Sequence, residues 1–287
     1  MGYLVARTST PRMCLVANID SLFRACFPIP SEPPTMSAKK VKVFAVLGIP
    51  VIDGPADIAE LLISALSRQK TPLRDGDALV ISHTLVSKAE GRVVDQKDIQ
   101  LSEKAKDLAG RNGFDPFQVE LALRESREVL RTERVLITET LYGLVCNFSG
   151  VDHSNAPAGG YVLLPLNPDA SAQRIRESLL HRTGLHKLAV IISDTQGRPW
   201  RKGSVNLAIG CAGISAFKFN KGKTDLYGRV IERSTVCQVD EIAAAAEHVM
   251  GEAGEGTPVI VIRGYGYEDG SEHGRDIPRP KTEDIFR

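Results

Sequence analysis

Three acidic residues stand in glycine-containing loops just past apolar segments: Asp152 in GVDHSN, Asp194 in SDTQG and Glu252 in MGEAGEG. Glycine lets the backbone approach a ligand closely, and binding residues concentrate on such loops. Hard oxygen donors, with no cysteine or histidine in the set, select Mg2+ or Mn2+, ions that take one or two carboxylates, waters and substrate phosphate. Thr195 can add an oxygen beside Asp194, and Lys88, Arg198, Arg201 and Lys202 can meet phosphate charge. Acidic residues in such loops also serve as turn formers through Asx-type hydrogen bonds. Spacing along the chain does not bring the three together. The residues alone lead as far as the handling of metal and phosphate.

Other motifs fall away. Lys221-Gly222-Lys223-Thr224 ends like a phosphate-binding loop, but Phe217 stands where the pattern needs its first glycine. The stretch ahead of it reads as strand and does not enter a helix at the threonine. Gly264-Tyr265-Gly266 lacks a third glycine at the dinucleotide-binding offset. The histidines (His83, His153, His181, His186, His248 and His273) form no HxxxH or HxH pair and read as surface or partly buried side chains. His181 and His186 flank a helix end, where a cation is favoured. Cys14, Cys26, Cys146, Cys211 and Cys237 are odd in number with no CxxC spacing, and read as reduced thiols rather than a zinc site.

The 287-residue chain is 43% hydrophobic and 25% charged, with a formal net charge of +1. That composition is globular, with no global pull toward nucleic acid or membrane. No apolar run approaches the roughly 20 residues of a membrane span, and a cytoplasmic protein is expected. Residues 1–39 differ from the rest of the chain: they are rich in proline and have no acidic residue before Asp20. They read as a disordered or targeting-like extension. Organelle targeting by residues 1–35 is one account, and an early start ahead of Met36 is the other.

Regular structure is expected over residues 40–287, as one domain or two subdomains. Residues 41–47 read as a strand, and Asp53-Gly54-Pro55 as the opening of a helix whose Ile58, Leu61, Leu62, Ala65 and Leu66 share one face. Residues 78–82 form a buried strand, followed by a polar patch from His83 to Arg92. Asp115, Pro116 and Gln118 start a helix with a capping box. Residues 134–141 and 144–148 flank Tyr142-Gly143 as a hairpin. A loop at 149–160, a short strand at 161–164 and a helix at 169–182 stopping near Gly184 come next. Residues 188–192 form a buried strand delivering Asp194 and Thr195 to its end, beside a basic loop. Strands are expected at 212–219, 230–237 and 258–263, with Asp240 or a near neighbour capping a helix at 241–250. Elements do not alternate regularly, which predicts an α+β or mixed α/β fold of mixed sheets with flanking helices, neither a Rossmann sheet nor a P-loop protein.

From about Lys40 to Arg287 the chain resembles the coenzyme F-420-0:L-glutamate ligases, the gamma-glutamyl ligases of deazaflavin cofactor biosynthesis. The resemblance rests on GIPVI (48–52), VSKAEGR (86–92), GVDHSN (150–155), ISDTQGRPWRKG (192–203), KTDLYGR (223–229), DEIAAAAEHVMGEAGEG (240–256) and VIRG (261–264), in family order. SKAEGR and ISDT-G-R together are specific; DLYGR alone is not.

The resemblance implies an amide-forming ligase built as an intertwined homodimer. GTP phosphorylates a carboxylate of the deazaflavin precursor to an acyl phosphate, and the amine of L-glutamate displaces the phosphate. A second glutamate can follow through the gamma-carboxylate. Two Mn2+ or Mg2+ sites are implied, with a monovalent cation such as K+ assisting. The implied metal ligands are Asp152, Asp194, Thr195 and Glu252. The implied GTP contacts are Ile49, Pro50, Val51, Ile52, Thr84, Lys88, Asn155 and the 250–257 loop, with Met250, Gly251, Gly254 and Gly256. Lys88 and Asp194 are the implied catalytic residues. His83 departs from the serine of archaeal members at that position, and residues 1–40 have no counterpart. Neither nucleic acid nor membrane is an expected partner. Two readings stand beside this one: a ligase acting on a different carboxylic acid, and a non-catalytic nucleotide-binding dimer.

Overall fold

The computed structural model describes residues 40–286; the expected N-terminal extension lies outside the described residues. In chain order, β1 (Lys42–Ala45) and α1 (Ile58–Arg68) lead to β2 (Asp77–Ser82), α2 (His83–Ala89) and β3 (Val93–Asp95). Helices α3 (Glu103–Asn112) and α4 (Pro116–Arg124) precede β4 (Ser126–Arg131), β5 (Ile137–Thr140), β6 (Val145–Asn147) and β7 (Gly160–Val162). Then come α5 (Pro168–Thr183), β8 (Leu188–Arg198), β9 (Arg201–Ala212), β10 (Phe217–Phe219), β11 (Thr235–Cys237), α6 (Gln238–Met250) and β12 (Val259–Arg263).

The most apolar runs, residues 78–81, 188–192 and 259–262, are buried and share one sheet of order β1-β12-β2-β8-β9. Strands β2 and β8 run parallel, and the other neighbours are antiparallel. Successive side chains point to opposite faces, so an unbroken apolar run requires cover on both. Leu79, Ile81, Val190 and Ile192 pack with Leu62 and Leu66 of α1 and Ile175 and Leu179 of α5. Ala78, Val80, Ala189 and Ile191 pack with Val239, Ile242 and Ala246 of α6. Full burial of each Leu, Ile or Val contributes about 1.5–3 kcal/mol of transfer free energy. A third cluster joins Ala105 and Ala109 of α3, Val119 and Ala122 of α4, and Tyr161 of β7. The mixed sheets with flanking helices match the expected mixed α/β content.

Several local expectations change. Helix α1 opens at Ile58, because Asp57, not the Asp53-Gly54-Pro55 segment, is its cap and accepts from Glu60 N at 3.1 Å. Residues 83–89 are a helix rather than an irregular polar patch, and His83, Ser87 and Lys88 are buried in it. Asp115 caps α4 by accepting from Phe117 N at 2.9 Å, but Gln118 closes no capping box. Its amide donates across to Val151 O at 2.7 Å. The basic loop expected at 194–203 is largely paired strand, with Asp194 opposite Leu207 and Thr195 opposite Asn206. Ladder bonds come from the backbone, so a polar stretch extends a strand once its partner is beside it.

The strands expected at 212–219 and 230–237 shrink to three residues each. Gly213, at φ +73°, turns the chain after β9. Asp225 Oδ1 accepts from Tyr227 N and Arg229 N, holding much of residues 220–234 in exposed turns. Helix α6 starts at Gln238 with no side-chain cap; Asp240 instead accepts from Ala208 N of β9 at 3.0 Å. Among the described residues, no helix is long and apolar enough to cross a membrane.

Candidate active site

Ser82 and Ser193 are register partners across the parallel pair β2 and β8, so the residues that follow them, His83 at the start of α2 and Asp194 in β8, come side by side. His83 Nε2 lies 3.3 Å from Asp194 Oδ1, and His83 is only 5% exposed. Ser82 also starts α2, its Oγ accepting from Thr84 N at 3.3 Å. Thr84 and Lys88, four residues apart, then share a face of that helix. Lys88 is 7% exposed, and no carboxylate pairs with it among the described residues. The residue is buried while it borders a cavity, so its ammonium suits a negatively charged ligand bound there.

Lys88 lies in the wall of a cavity of about 370 Å³. Ile49, Pro50, Val51 and Ile52 join it from the turn after β1, with Thr84 from α2 and Asn155 from the loop before β7. The end of α6 contributes Met250 and the loop after it Gly251 and Gly256, whereas Gly254 is outside the wall. That loop is folded on itself. Thr257 Oγ1 donates to Met250 O at 2.8 Å, and Ala253 N donates to Glu255 Oε2 at 2.8 Å. Gly251 sits at φ +68°, and an added Cβ would come within 2.4 Å of the Glu255 carboxyl carbon. Glycine is the residue that this turn accommodates.

A second cavity of about 310 Å³ shares Ser82, Thr84, Asn155 and Gly251 with the first, so the two adjoin. Asp152, Asp194, Thr195 and Glu252 all line it, together with His83, Ser193 and Asn206. Asp194 and Thr195 reach it from within the β8–β9 ladder, just past a bulge at Ile192 and Ser193, rather than from a strand end. Two polar atoms of its wall residues, His83 Nδ1 and Ser193 Oγ, are buried without a hydrogen-bond partner among the described residues.

The carboxylates differ in their local engagement. Asp152 accepts from Ser154 N at 2.9 Å and from the Ser154 hydroxyl, so it is also the turn former that its loop suggests. Asp194 Oδ2 is 3.4 Å from Gln196 Nε2, and Glu252 is exposed. Among the described residues, no three of His, Cys, Asp and Glu form a group that could hold a metal ion. Ions such as Mg2+ do not need such a cage. They take one or two carboxylates and complete the shell with water and phosphate, and the oxygen-rich donors around this cavity fit that chemistry.

Burial disfavours the charged ring of His83, but the carboxylates of Asp194 and Asp152 outweigh it and hold its pKa above the ordinary histidine value. At the nearby end of α6, burial and the charges of Glu252 and Glu255 raise Glu247. Arg198, Arg201 and Lys202 stand on the β8–β9 hairpin and line neither cavity. Lys221-Gly222-Lys223-Thr224 is exposed between β10 and β11, with Gly222 N donating to Ile231 O. Cys146, Cys211 and Cys237 are free thiols whose pKa values burial pushes up, which leaves them protonated and inert. His83 is the site residue that histidine spacing does not find, because its partner lies across the sheet. The available signal was its place just past the apolar run 78–81, one residue after Ser82.

The profile of the F420-0:gamma-glutamyl ligase family matches residues 47–264. A coenzyme F420:L-glutamate ligase of Methanothermobacter thermautotrophicus is 45% identical over 250 residues, covering 86% of this chain and 99% of that protein. The protein of the same name from Methanocaldococcus jannaschii is 45% identical over 250 residues, covering 87% of this chain and 98% of its own length. That of Archaeoglobus fulgidus is 42% identical over 248 residues, covering 86% and 97% respectively. With both cavities built largely inside the matched stretch, the chain belongs to the F420-0:gamma-glutamyl ligase family.

Proposed function

We propose that this chain joins L-glutamate to the unglutamylated deazaflavin precursor F420-0 by an amide bond, using GTP to activate the precursor carboxylate as an acyl phosphate. Further glutamate can then be added through the gamma-carboxylate. The observation that carries this reading is the buried Lys88, with no carboxylate partner among the described residues, in the wall of one cavity directly beside a second cavity lined by Asp152, Asp194 and Glu252.

In this reading the nucleotide lies against Ile49–Ile52, Lys88, Asn155 and the 250–257 loop, with the Lys88 ammonium meeting the triphosphate. Its gamma-phosphoryl group passes to a carboxylate oxygen of the acceptor and GDP leaves. The glutamate nitrogen then bonds to the acyl carbon, the bond from that carbon to the phosphate oxygen breaks, and the amine gives up its proton to solvent. Asp152, Asp194, Thr195 and Glu252 would hold Mn2+ or Mg2+, with K+ assisting. Bound there, the ions would neutralise the triphosphate and the charge that grows during transfer. Lys88 on α2 and Asp194 on β8 act from packed elements, which supply orientation. A homodimer is part of the same reading, and the exposed Phe219, Leu226, Tyr227 and Val230 are apolar surface consistent with it.

The test is to combine purified protein, GTP, Mn2+, L-glutamate and the unglutamylated cofactor, and to follow the products by mass spectrometry. Products heavier by one or two glutamyl units, with matching GDP, are expected. GDP release only with a different carboxylic acid would move the reading to another acceptor. Tight GTP binding without any turnover would leave a non-catalytic nucleotide-binding dimer. Asp194→Asn keeps the side-chain size and removes the charge, and is expected to abolish turnover in a folded protein. Wild-type activity in that variant would sink the metal assignment.

A further inference from the structure

We propose that His83 is itself a metal ligand in the second cavity, through Nε2 beside Asp194 Oδ1, and that this imidazole moves the site's preference from Mg2+ toward Mn2+ and Co2+. The proposal rests on the reading of Asp194 as a metal ligand. Two donors cis on one ion, each about 2.1 Å from it, stand about 3.0–3.4 Å apart. His83 Nε2 and Asp194 Oδ1 are 3.3 Å apart. Their spacing is set by the β2–β8 register, so it is held by two buried strands rather than by a loop.

The ring has little else to do. Among the described residues, Nε2 meets only Thr84 Oγ1 besides Asp194, at 3.5 Å, and Nδ1 is buried with no partner. A histidine kept for packing satisfies its buried nitrogens, and this one does not. The ring is part of the cavity wall that also holds Asp152, Thr195 and Glu252. No three His, Cys, Asp or Glu side chains converge among the described residues, so His83 and Asp194 form the protein's pair and water and phosphate complete the shell. An all-oxygen set suits Mg2+. Adding one imidazole nitrogen favours ions further along the first-row series, where affinity rises from Mn2+ to Co2+.

Isothermal titration of Mg2+, Mn2+ and Co2+ into the full chain, with and without GTP, tests the preference directly. His83→Ser is expected to weaken Mn2+ and Co2+ binding by roughly tenfold or more, the order seen when one ligand-sphere contact is lost, while Mg2+ changes by less than about twofold. Pulsed electron paramagnetic resonance of the Mn2+ adduct, in protein carrying 15N-histidine, reads ligation without any turnover. The coupling of a directly bound nitrogen is expected in the wild type and in His153→Gln, and is expected to vanish in His83→Ser. His153 is the control because its ring is occupied by Asp115 and Tyr161. These two spectra also decide the matter if His83→Ser does not fold. Absence of histidine coupling in the wild type overturns the proposal, as does an unchanged Mn2+-to-Mg2+ ratio in folded His83→Ser. If Asp194→Asn still abolishes binding in those cases, the metal reading of Asp194 survives alone. A wild type that binds no divalent ion under either condition overturns both.

Discussion

Lys88→Met should act with opposite signs on stability and on nucleotide binding. Methionine keeps much of the apolar stem while removing the ammonium. In the free protein Lys88 is only 7% exposed, and no carboxylate pairs with it among the described residues. An unsatisfied buried polar group costs about 1–3 kcal/mol, and the tip of Lys88 faces a cavity, so the lower end applies. Removing it should therefore stabilise the free protein by about 1 kcal/mol, or about 2 °C in melting temperature for a chain of this size. Against the triphosphate the ammonium makes a charge-assisted contact out of bulk water, and losing one partner of such a contact costs about 2–3 kcal/mol. That is roughly a 30- to 150-fold weaker Kd for GTP. Differential scanning fluorimetry of the free protein and titration of GTP in Mn2+ buffer measure the two effects separately. A lower melting temperature would show that Lys88 is structural. An unchanged Kd would show that the phosphates do not meet it, and either result refutes the reasoning.

Arg263 donates to both oxygens of Asp77, at 2.8 and 2.7 Å, and Asp77 is 1% exposed. Arg263→Ala should cost about 3 kcal/mol by stranding a buried charge, and Asp77→Asn in the same chain should recover part of that in urea denaturation. Gly210→Ala should destabilise by about 2 kcal/mol or more, because its Cβ would come within 2.4 Å of Pro168 C and 2.7 Å of Asp169 N, both backbone atoms. A wild-type urea midpoint would show that the start of α5 yields. Burial opposes the charge on Asp115, but bonds from Tyr161, His153 and Phe117 N hold its carboxyl below the usual 3.8. A lowered carboxylate stabilises the fold above its ordinary pKa and loses that contribution as pH falls through the folded value. Asp115→Asn, which keeps an N-cap acceptor, should therefore flatten the loss of urea resistance between about pH 5 and pH 3. An equally steep acid limb would count against it.

Much of the framework is legible in local signals. The apolar runs at 78–81, 188–192 and 259–262 are the central strands of the main sheet, because only backbone buried on both faces carries such sequence. Asp115-Pro116 starts α4, and Gly184, in a left-handed conformation, ends α5 as its spacing implies. What failed was local sequence whose partners are distant. Gln118 has the position of a capping-box residue, yet its amide reaches Val151 O because that carbonyl is brought against α4 by the fold. Residues 194–198 look like a loop and are strand, because β9 lies beside them.

Sequence by itself determined which donors exist: carboxylates at Asp152, Asp194 and Glu252 in loops or polar segments that no apolar core would accept, and a lysine in SKAEGR. It also carried the family, since those motifs recur in order along the chain. Only the tertiary structure decided that the carboxylates line one cavity, that Lys88 is buried in the wall of its neighbour, and that His83 stands against Asp194. The reason is register. Pairing Ser82 with Ser193 is a choice among backbone hydrogen-bond alignments of two similar apolar strands, and it is settled by how both faces pack, which no window along the chain contains.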